Sequence, residues 1–425
     1  MRCEELKKAV LAGEFDTRLK EVYPGRELSA VHGRIASVLD GFAKTYPNDT
    51  REVFIFSAPG RTELGGNHTD HQYGQVLAGS IDMDTLAVVA RSEGTLIRVQ
   101  SLGHALSHAD FSDTRVVEEE KGSSSSLLRG TAVAIAERGY TVHGFDAYTE
   151  TEVLRGSGLS SSAAFEVLIG EIINELDCGG ALTSTEIAQI GQFAENVYYG
   201  KPCGLMDQMA CATGGVIAID FYDPKEPKVA RVAADFAKEG FALCIIDSGA
   251  GHADLDDEYA AIPNEMGAVA KLLGQEKLSR ADEGEYWAKK DAIVAECGER
   301  AALRAEHFFG ETKRAKAQYE ALTRGDMKAY IELVRESGES SEKKLQNVSI
   351  DRPDGDRLLR VIERARELAT ADGVGRVHGG GFAGTVQALV PMEKLESFVA
   401  GMEELTGKGS CHVIRLRDHG SIRLL

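Results

Sequence analysis

The chain of 425 residues has no CxxC pair and no cluster of histidines. Its seven cysteines are scattered along the sequence: Cys3, Cys178, Cys203, Cys211, Cys244, Cys297 and Cys411. An odd, dispersed set argues against a disulfide scaffold and against a zinc site. The pattern is typical of reduced thiols, so we expect a cytoplasmic protein.

Long apolar runs and dense basic runs are also missing. No apolar run approaches the ~18 residues that span a bilayer, and residues 1–8 are charged and lack the apolar centre of a signal peptide. The net charge of −19 argues against nucleic acid or an anionic membrane as the main partner. We expect a soluble protein that acts on small molecules, as a monomer or weak homodimer.

Length and segment order predict an α+β protein with more than one domain. The predicted divisions are an N-terminal helical extension at 1–50, a first domain at 51–235 and a second domain at 236–425. Predicted strands lie at 53–58 (ended by Pro59-Gly60), 76–90, 96–100, 243–247 and 385–390. Predicted helices lie at 127–138 and 185–198, and residues 260–346 are strongly helical.

The segment Gly156-Ser157-Gly158-Leu159-Ser160-Ser161-Ser162-Ala163-Ala164 leads directly into an apolar, helix-competent run at 165–173. Glycines let backbone N–H groups close around an anion, and a helix N-terminus favours negative charge. A serine in such a loop can offer a hard oxygen to Mg²⁺. The alternative is a flexible linker, as for the serine run 123–126. The helix that follows favours a polyphosphate site.

Three further segments concentrate chemically useful groups. Residues 58–72 hold Arg, Asn, His, Asp and Gln, which can bind sugar hydroxyls and a phosphoryl group; an exposed polar turn is the alternative. Asp207, between Leu-Met and small residues, is suited to be a buried base or electrostatic anchor, or a helix N-cap. The glycines of 379–384 permit close backbone approach to a ligand or form a tight turn.

Together the four segments resemble the galactokinase branch of the GHMP kinase superfamily, from about Phe56 to the C-terminus. The resemblance implies the two-domain GHMP kinase fold. In that fold an N-terminal mixed β-sheet with helices and a C-terminal α/β sandwich domain enclose the active site between them. It also implies ATP and Mg²⁺ as cofactors. The implied reaction converts galactose and ATP to galactose 1-phosphate and ADP.

The resemblance also implies a role for each matched residue. The ATP phosphates would lie on Gly156, Ser157, Gly158, Leu159, Ser160, Ser161 and Ser162. Mg²⁺ would be held by Ser162 and Glu195. Asp207 would orient or deprotonate the anomeric hydroxyl, and Arg61 beside it would stabilise the transferred charge. The sugar would be bound by Asn67, His68, Asp70, Gly204 and Tyr259, and the glycine segment 379–384 would brace the phosphate site.

The first motif departs from the family pattern. Asn67 stands where the family has a glutamate that contacts the C6 hydroxyl of the sugar, and His71-Gln72 replace Tyr-Asn. Carboxylates closer than ~5 Å repel strongly in a site of low dielectric. Loss of the glutamate would therefore admit a C6 carboxylate, so galacturonate, N-acetylgalactosamine and L-arabinose are alternative substrates to galactose.

Other departures lie in the segment Ser248–His252, in the missing arginine run after Tyr259 and in Arg155, which replaces a proline. A second class of function is a catalytically silent sensor that binds ATP and sugar. The complete Ser161–Ala164 segment and the presence of Asp207 favour catalysis over that alternative.

Overall fold

The computed structural model describes residues 1–154, 156, 158–251 and 255–425. The helices in these residues are α1 Cys3–Leu11, α2 Asp16–Val22, α3 Leu28–Thr45, α4 Ser124–Ala136, α5 Ser161–Asp177, α6 Ser184–Phe193, α7 Met206–Thr213, α8 Asp256–Leu272, α9 Glu283–Ala288, α10 Lys290–Cys297, α11 Glu299–Thr323, α12 Met327–Ser340, α13 Arg357–Ala369 and α14 Leu395–Thr406. The strands are β1 Val53–Gly65, β2 Gln75–Arg91, β3 Leu96–Ser101, β4 Ser107–Asp110, β5 Phe145–Thr151, β6 Val216–Asp220, β7 Lys228–Val232, β8 Phe241–Asp247, β9 Val374–His378, β10 Thr385–Pro391, β11 Cys411–Ile414 and β12 Ile422–Arg423.

The larger sheet has eight strands within the described residues. Its main order is β12-β1-β2-β5-β3-β4; β6 pairs alongside the first residues of β2, and β7 pairs with β6. Strands β3 and β5 are parallel, whereas the other pairs are antiparallel. The expected mixed sheet is therefore confirmed.

Both faces of this sheet are covered, which explains why β1 and β2 are buried along almost their whole length. Side chains alternate between the faces of a strand. Val53 and Ile55 pack with helices α1–α3, whereas Phe56 and Ala58 pack with the helices after the Gly/Ser loop. The helical extension thus forms one outer layer of the sheet.

The smaller sheet, with order β11-β8-β10-β9, is antiparallel and carries α13 and α14 on one face. Its other face joins the core of the first sheet through Leu243, Ile245 and Leu389. Strand β12 returns to pair with β1, where Phe56 lies opposite Arg423. The domain bounds at 50/51 and 235/236 stay a prediction.

Most predicted elements are confirmed, but two local predictions are wrong. Pro59-Gly60 does not end β1, because a register shift between Pro59 and Arg61 accommodates the proline and pairing continues to Gly65. The serine run is not a linker, because α4 begins at Ser124. Serines fit this first turn, since its N–H groups need no helical partner; buried Ser126 donates a hydrogen bond to the Ser123 carbonyl.

No helix in the described parts of the chain combines the length and apolar character that crossing a bilayer requires.

Candidate functional site

Two adjoining cavities lie where the four predicted segments meet. One, of about 200 Å³, is bordered by the polar loop after β1, the first turn of α7 and the start of the glycine segment. The other, of about 400 Å³, lies between the N-terminal turns of α4 and α5. Ser162, Glu195 and Lys201 border both cavities. A group bound in one cavity can therefore meet a group bound in the other at this shared wall.

The N-terminus of α5 faces the shared wall. Ser160, with a φ of 60°, is the N-cap, and the helix begins at Ser161. Ser161 borders the larger cavity and exposed Ser162 borders both, whereas Leu159 is fully buried and anchors the loop. The first N–H groups of a helix lack intrahelical partners, so this end suits an anion. The predicted residue Ser157 and the departure at Arg155 lie outside the described residues.

Asp207 lies in the first turn of α7 and receives hydrogen bonds from two distant segments. Arg61 donates from Nε to Asp207 Oδ1 at 2.8 Å and also pairs through Nη2 at 2.7 Å. The Ser160 hydroxyl donates to the other carboxylate oxygen. Leu205, not Asp207, takes the N-cap position, so the capping alternative does not apply.

Arg61 is itself almost completely buried. Burial alone would lower its pKa, but the charge of Asp207 and the hydrogen bond to it raise the pKa above the ordinary value. The remaining amino group, Nη1, donates to the Gly158 carbonyl. Arg61 therefore connects the polar loop, the Gly/Ser loop and Asp207.

Glu195 lies on a π turn, Ala194–Tyr199, that follows α6. Such turns occur frequently at functional sites. Gln208 Nε2 donates to Glu195 Oε2 at 3.0 Å and to Glu166 Oε2 at 2.9 Å. Burial, and then the charge of Glu195, raise the pKa of Glu166 well above its ordinary value.

Sequence reasoning missed Glu166 and Lys201. Glu166 follows Ser162 by four residues, so a helix from Ser161 puts both on one face; a carboxylate within an apolar run was the available signal. Lys201 carried no comparable signal, because nothing in its local sequence shows that it borders the two cavities. It lies 3.5 Å from Glu195 Oε1.

His68 borders the smaller cavity. Burial, followed by the charge of neighbouring His71, lowers the pKa of His68 to about 4, so its ring is neutral. Its Nε2 lies 2.9 Å from the Gly380 carbonyl, which can only accept, so Nε2 carries the proton. Nδ1 is then a buried acceptor without a protein partner among the described residues.

Asp70 and Gly204 also border this cavity. A Cβ at position 204 would collide with the Asp70 carboxylate, so glycine permits the close approach. Tyr259 is placed differently. It donates to the Gly381 carbonyl at 3.0 Å, packs edge-on against Phe382 and does not border the described part of the smaller cavity. His252, in the altered segment before Tyr259, lies outside the described residues.

Asn67 is fully buried, and its side chain is bonded on every side. Its amino group donates to Glu63 Oε2 at 3.1 Å and to the Gly379 carbonyl at 2.7 Å. Its Oδ1 accepts from Asn347 Nδ2 at 3.0 Å and from Ser341 Oγ at 3.3 Å. These four bonds use the capacity of a primary amide. Asn67 thus bridges several segments, and because it also borders the smaller cavity its predicted sugar contact stays a prediction.

A carboxylate of another residue lies beside position 67, because Glu63 borders the same cavity; the expected effect of Asn67 on the choice of sugar stays a prediction. Arg376 of β9 pairs with Glu63 at 2.9 Å and donates to the Glu63 carbonyl at 2.8 Å. Sequence reasoning missed this pair, although an arginine inside the apolar strand Val374–His378 is an unusual residue there.

The glycine segment 379–384 faces the polar loop. The carbonyls of Gly379 and Gly380 accept from Asn67 and His68. Gly379 and Gly381 have φ values of 70° and 80°, which favour glycine. The described contacts of this segment thus brace the sugar motif, and its expected role at the phosphate site stays a prediction.

Comparisons with known proteins agree with this arrangement. The galactokinase galactose-binding signature matches residues 40–91, and the GHMP kinases N terminal domain matches residues 126–215. A galactokinase of Streptomyces coelicolor is 30% identical over 358 residues, which cover 82% of this chain and 88% of that protein.

Two solved structures have the same fold. Lactococcus lactis galactokinase complexed with galactose has a TM-score of 0.77 at 24% identity and covers 93% of this chain and 99% of its own. Mevalonate kinase of Methanococcus jannaschii has a TM-score of 0.60 at 15% identity, with coverage of 87% and 99%. The chain therefore belongs to the galactokinase family of the GHMP kinases.

Proposed function

We propose that this chain transfers the terminal phosphoryl group of ATP to the anomeric hydroxyl of galactose. The observation that carries the proposal is the shared wall of the two cavities, with Ser162 and Glu195 on it and Asp207 bordering the smaller cavity. A nucleotide in the larger cavity and a sugar in the smaller one would meet there. Proximity of this kind is the main requirement of phosphoryl transfer.

The larger cavity would take the nucleotide, with its phosphates along the N-terminus of α5. The unpaired N–H groups of the first turn and the helix dipole favour the negative charge. The Ser162 hydroxyl and the Glu195 carboxylate are hard oxygen donors of the kind Mg²⁺ prefers, so they are the residues that would hold the ion. Bound there, Mg²⁺ would neutralise phosphate charge.

Asp207 is the acceptor for the proton of the anomeric hydroxyl. The anomeric oxygen forms a bond to the γ-phosphorus, and the bond from that phosphorus to the bridging oxygen breaks. ADP leaves with the bond's electron pair, and the hydroxyl proton passes to Asp207. Arg61, bonded to Asp207 at 2.8 Å, holds the carboxylate in place.

The charges around the smaller cavity favour a neutral sugar over galacturonate. Asp70 borders the cavity, and a C6 carboxylate close to it would be repelled, whereas the Glu63 carboxylate is paired with Arg376. The neutral His68 ring borders the cavity and adds no charge to it. The carboxylate oxygens of Asp70 can accept hydrogen bonds from sugar hydroxyls.

A sugar panel tests the proposal. Purified protein would be assayed with ATP, Mg²⁺ and galactose, galacturonate, N-acetylgalactosamine or L-arabinose, by ADP release and by detection of the sugar 1-phosphate. We expect galactose to have the highest kcat/KM and galacturonate to be at least about tenfold poorer, which corresponds to ~1.4 kcal/mol. Faster turnover of galacturonate would reassign the substrate. Binding of ATP and sugar without any turnover would instead favour the sensor.

A further inference from the structure

The shared wall of the two cavities is rich in carboxylates. Glu195 borders both cavities and Asp207 borders the smaller one. In the proposed reaction a triphosphate must lie beside these acidic groups. The negative charges of the carboxylates and of the triphosphate repel each other strongly in a partly desolvated site. Besides the Mg²⁺ proposed above, a protein cation that is free to face the phosphates would further reduce this repulsion.

Arg61 is poorly available for this purpose. Its Nε and Nη2 are bonded to Asp207, and its Nη1 is bonded to the Gly158 carbonyl. Only 6% of the residue is exposed. All three nitrogens of the guanidinium group thus already have protein acceptors.

Lys201 is in the opposite situation. It borders both cavities, and its side chain is 65% exposed. Its Nζ lies 3.5 Å from Glu195 Oε1, which leaves ammonium donors for another acceptor. No other lysine borders both cavities in the described part of the chain.

The backbone holds Lys201 at this position. Its N–H donates to the Glu195 carbonyl at 3.1 Å, and the N–H of Gly200 bonds to the same oxygen at 3.0 Å. Gly200 has a φ of 87°, which turns the chain out of the π turn. The start of the lysine side chain is therefore fixed, while its ammonium end remains free to move.

We propose that Lys201 is a phosphate-contacting residue of this kinase. Its ammonium group binds the terminal phosphate oxygens of ATP and stabilises the charge on the phosphoryl group during transfer. The proposal rests on the kinase function proposed above and adds a specific residue to it. If Lys201 were only a partner for Glu195, its loss would not weaken binding of a nucleotide with terminal phosphates, because Glu195 would then be freer to hold Mg²⁺.

Nucleotides that differ in their phosphates distinguish these two roles. Calorimetry would measure the affinities of AMP and of the β,γ-imido analogue of ATP, with Mg²⁺ in excess, for the wild type, Lys201→Met and Lys201→Arg. We expect Lys201→Met to weaken binding of the analogue about tenfold and to leave AMP binding within about twofold. Its kcat should fall about 10²-fold, as for loss of one charge-stabilising donor. Lys201→Arg should recover most of both losses.

Lys121→Met is the matched control. Lys121 is a neighbour of Gly200 but pairs with Glu118 at 2.8 Å and does not border either cavity. We expect wild-type binding and turnover from this variant.

Two results would overturn the proposal: unchanged analogue affinity in Lys201→Met, or equal losses for AMP and the analogue. Binding is measured without turnover, so the two proposals fail separately. If the wild type phosphorylates no sugar, the kinase function fails, while the difference between the two nucleotides still decides the role of Lys201.

Discussion

Asp207 receives its hydrogen bonds from Arg61, 146 positions earlier in the chain, and from Ser160, 47 positions earlier. One carboxylate thus joins the polar loop, the Gly/Ser loop and the first turn of α7. The sequence motifs predicted that these residues belong to one site. The bonds between them depend on how the segments pack.

The Asp207→Asn variant tests the role of this carboxylate. An amide of the same shape can still accept from Arg61, so the protein should fold and bind ATP. It is a much weaker proton acceptor, so kcat should fall by about 10²–10⁴-fold. Steady-state kinetics and calorimetry with ATP would measure both properties, with exposed Asp235→Asn as the control. A near-normal kcat would remove Asp207 from catalysis.

Asn67→Asp tests the bridging position of Asn67. The new carboxylate would lie about 3.1 Å from the Glu63 carboxylate, the distance now spanned by the amide. We expect a loss of about 2–4 kcal/mol in the free energy of unfolding, because a buried charge would lose its donors and face a like charge. Urea denaturation measures this loss.

The same variant should keep its KM for galactose near the wild-type value, because the Asn67 amide is already fully bonded to protein groups. If Asn67 instead contacts the sugar, that KM would rise while the urea midpoint stayed constant. The two measurements therefore separate a bridging role from a substrate-binding role.

At the scale of elements, α5 connects the core to the phosphate end of the site. Val167, Leu168 and Ile172 are fully buried on this helix, and its N-terminus meets both cavities. The apolar run predicted the helix. The position of its first turn depended on Leu159, whose burial fixes where the loop enters.

Glu171 lies on the buried part of α5, and burial raises its pKa from 4.5 to about 7. A raised pKa means that the folded state binds more protons than the unfolded state between these values, so the wild type loses stability as pH rises through this window. Glu171→Gln removes that loss. At pH 8 the variant should be more stable than the wild type by up to about 3 kcal/mol. At pH 5 this stability difference should be clearly smaller.

Urea denaturation of the wild type and Glu171→Gln at the two pH values measures this difference. An equal difference at pH 5 and pH 8 would mean that Glu171 does not titrate with folding in this range.

Short elements were the least predictable. Strand β12 has two residues, too few for an alternating pattern, and it forms because β1 has a free edge beside it. The π turn Ala194–Tyr199 continues the helical pattern of α6, so sequence reasoning extended the helix through it. Neither element has a local sequence pattern strong enough to predict it without knowledge of the elements packed beside it.

At the scale of the whole molecule, a buried ion-pair cluster joins the two ends of the chain to the larger sheet. Asp84 of β2 accepts from Arg417 at 2.9 Å and from Tyr23 at 2.6 Å, and it also pairs with Arg34. The side chains of Asp84 and Arg417 are fully buried. The N-terminal helices and the C-terminal segment are thus tied to one carboxylate.

Asp84→Ala should remove about 3–5 kcal/mol from the free energy of unfolding, because it leaves the buried Arg417 without its charge partner. Urea denaturation would measure the loss. Glu52→Ala, which breaks an exposed pair with the N-terminal amine, should leave the midpoint unchanged. Similar midpoints for the two variants would show that the Asp84 cluster does not stabilise the fold.

The amino-acid sequence determined the α+β class, the kinase family and most of the residues proposed for the site. These conclusions depend on local properties: glycine and serine before a helix, polar groups within one loop and apolar periodicity. Tertiary structure decided which of these groups face a cavity. Asn67 and Glu63 are bonded to Asn347 and Arg376, 280 and 313 positions away, and Lys201 reaches the shared wall because the π turn packs beside α4. Partners so remote in sequence are set by packing, which a local pattern does not record.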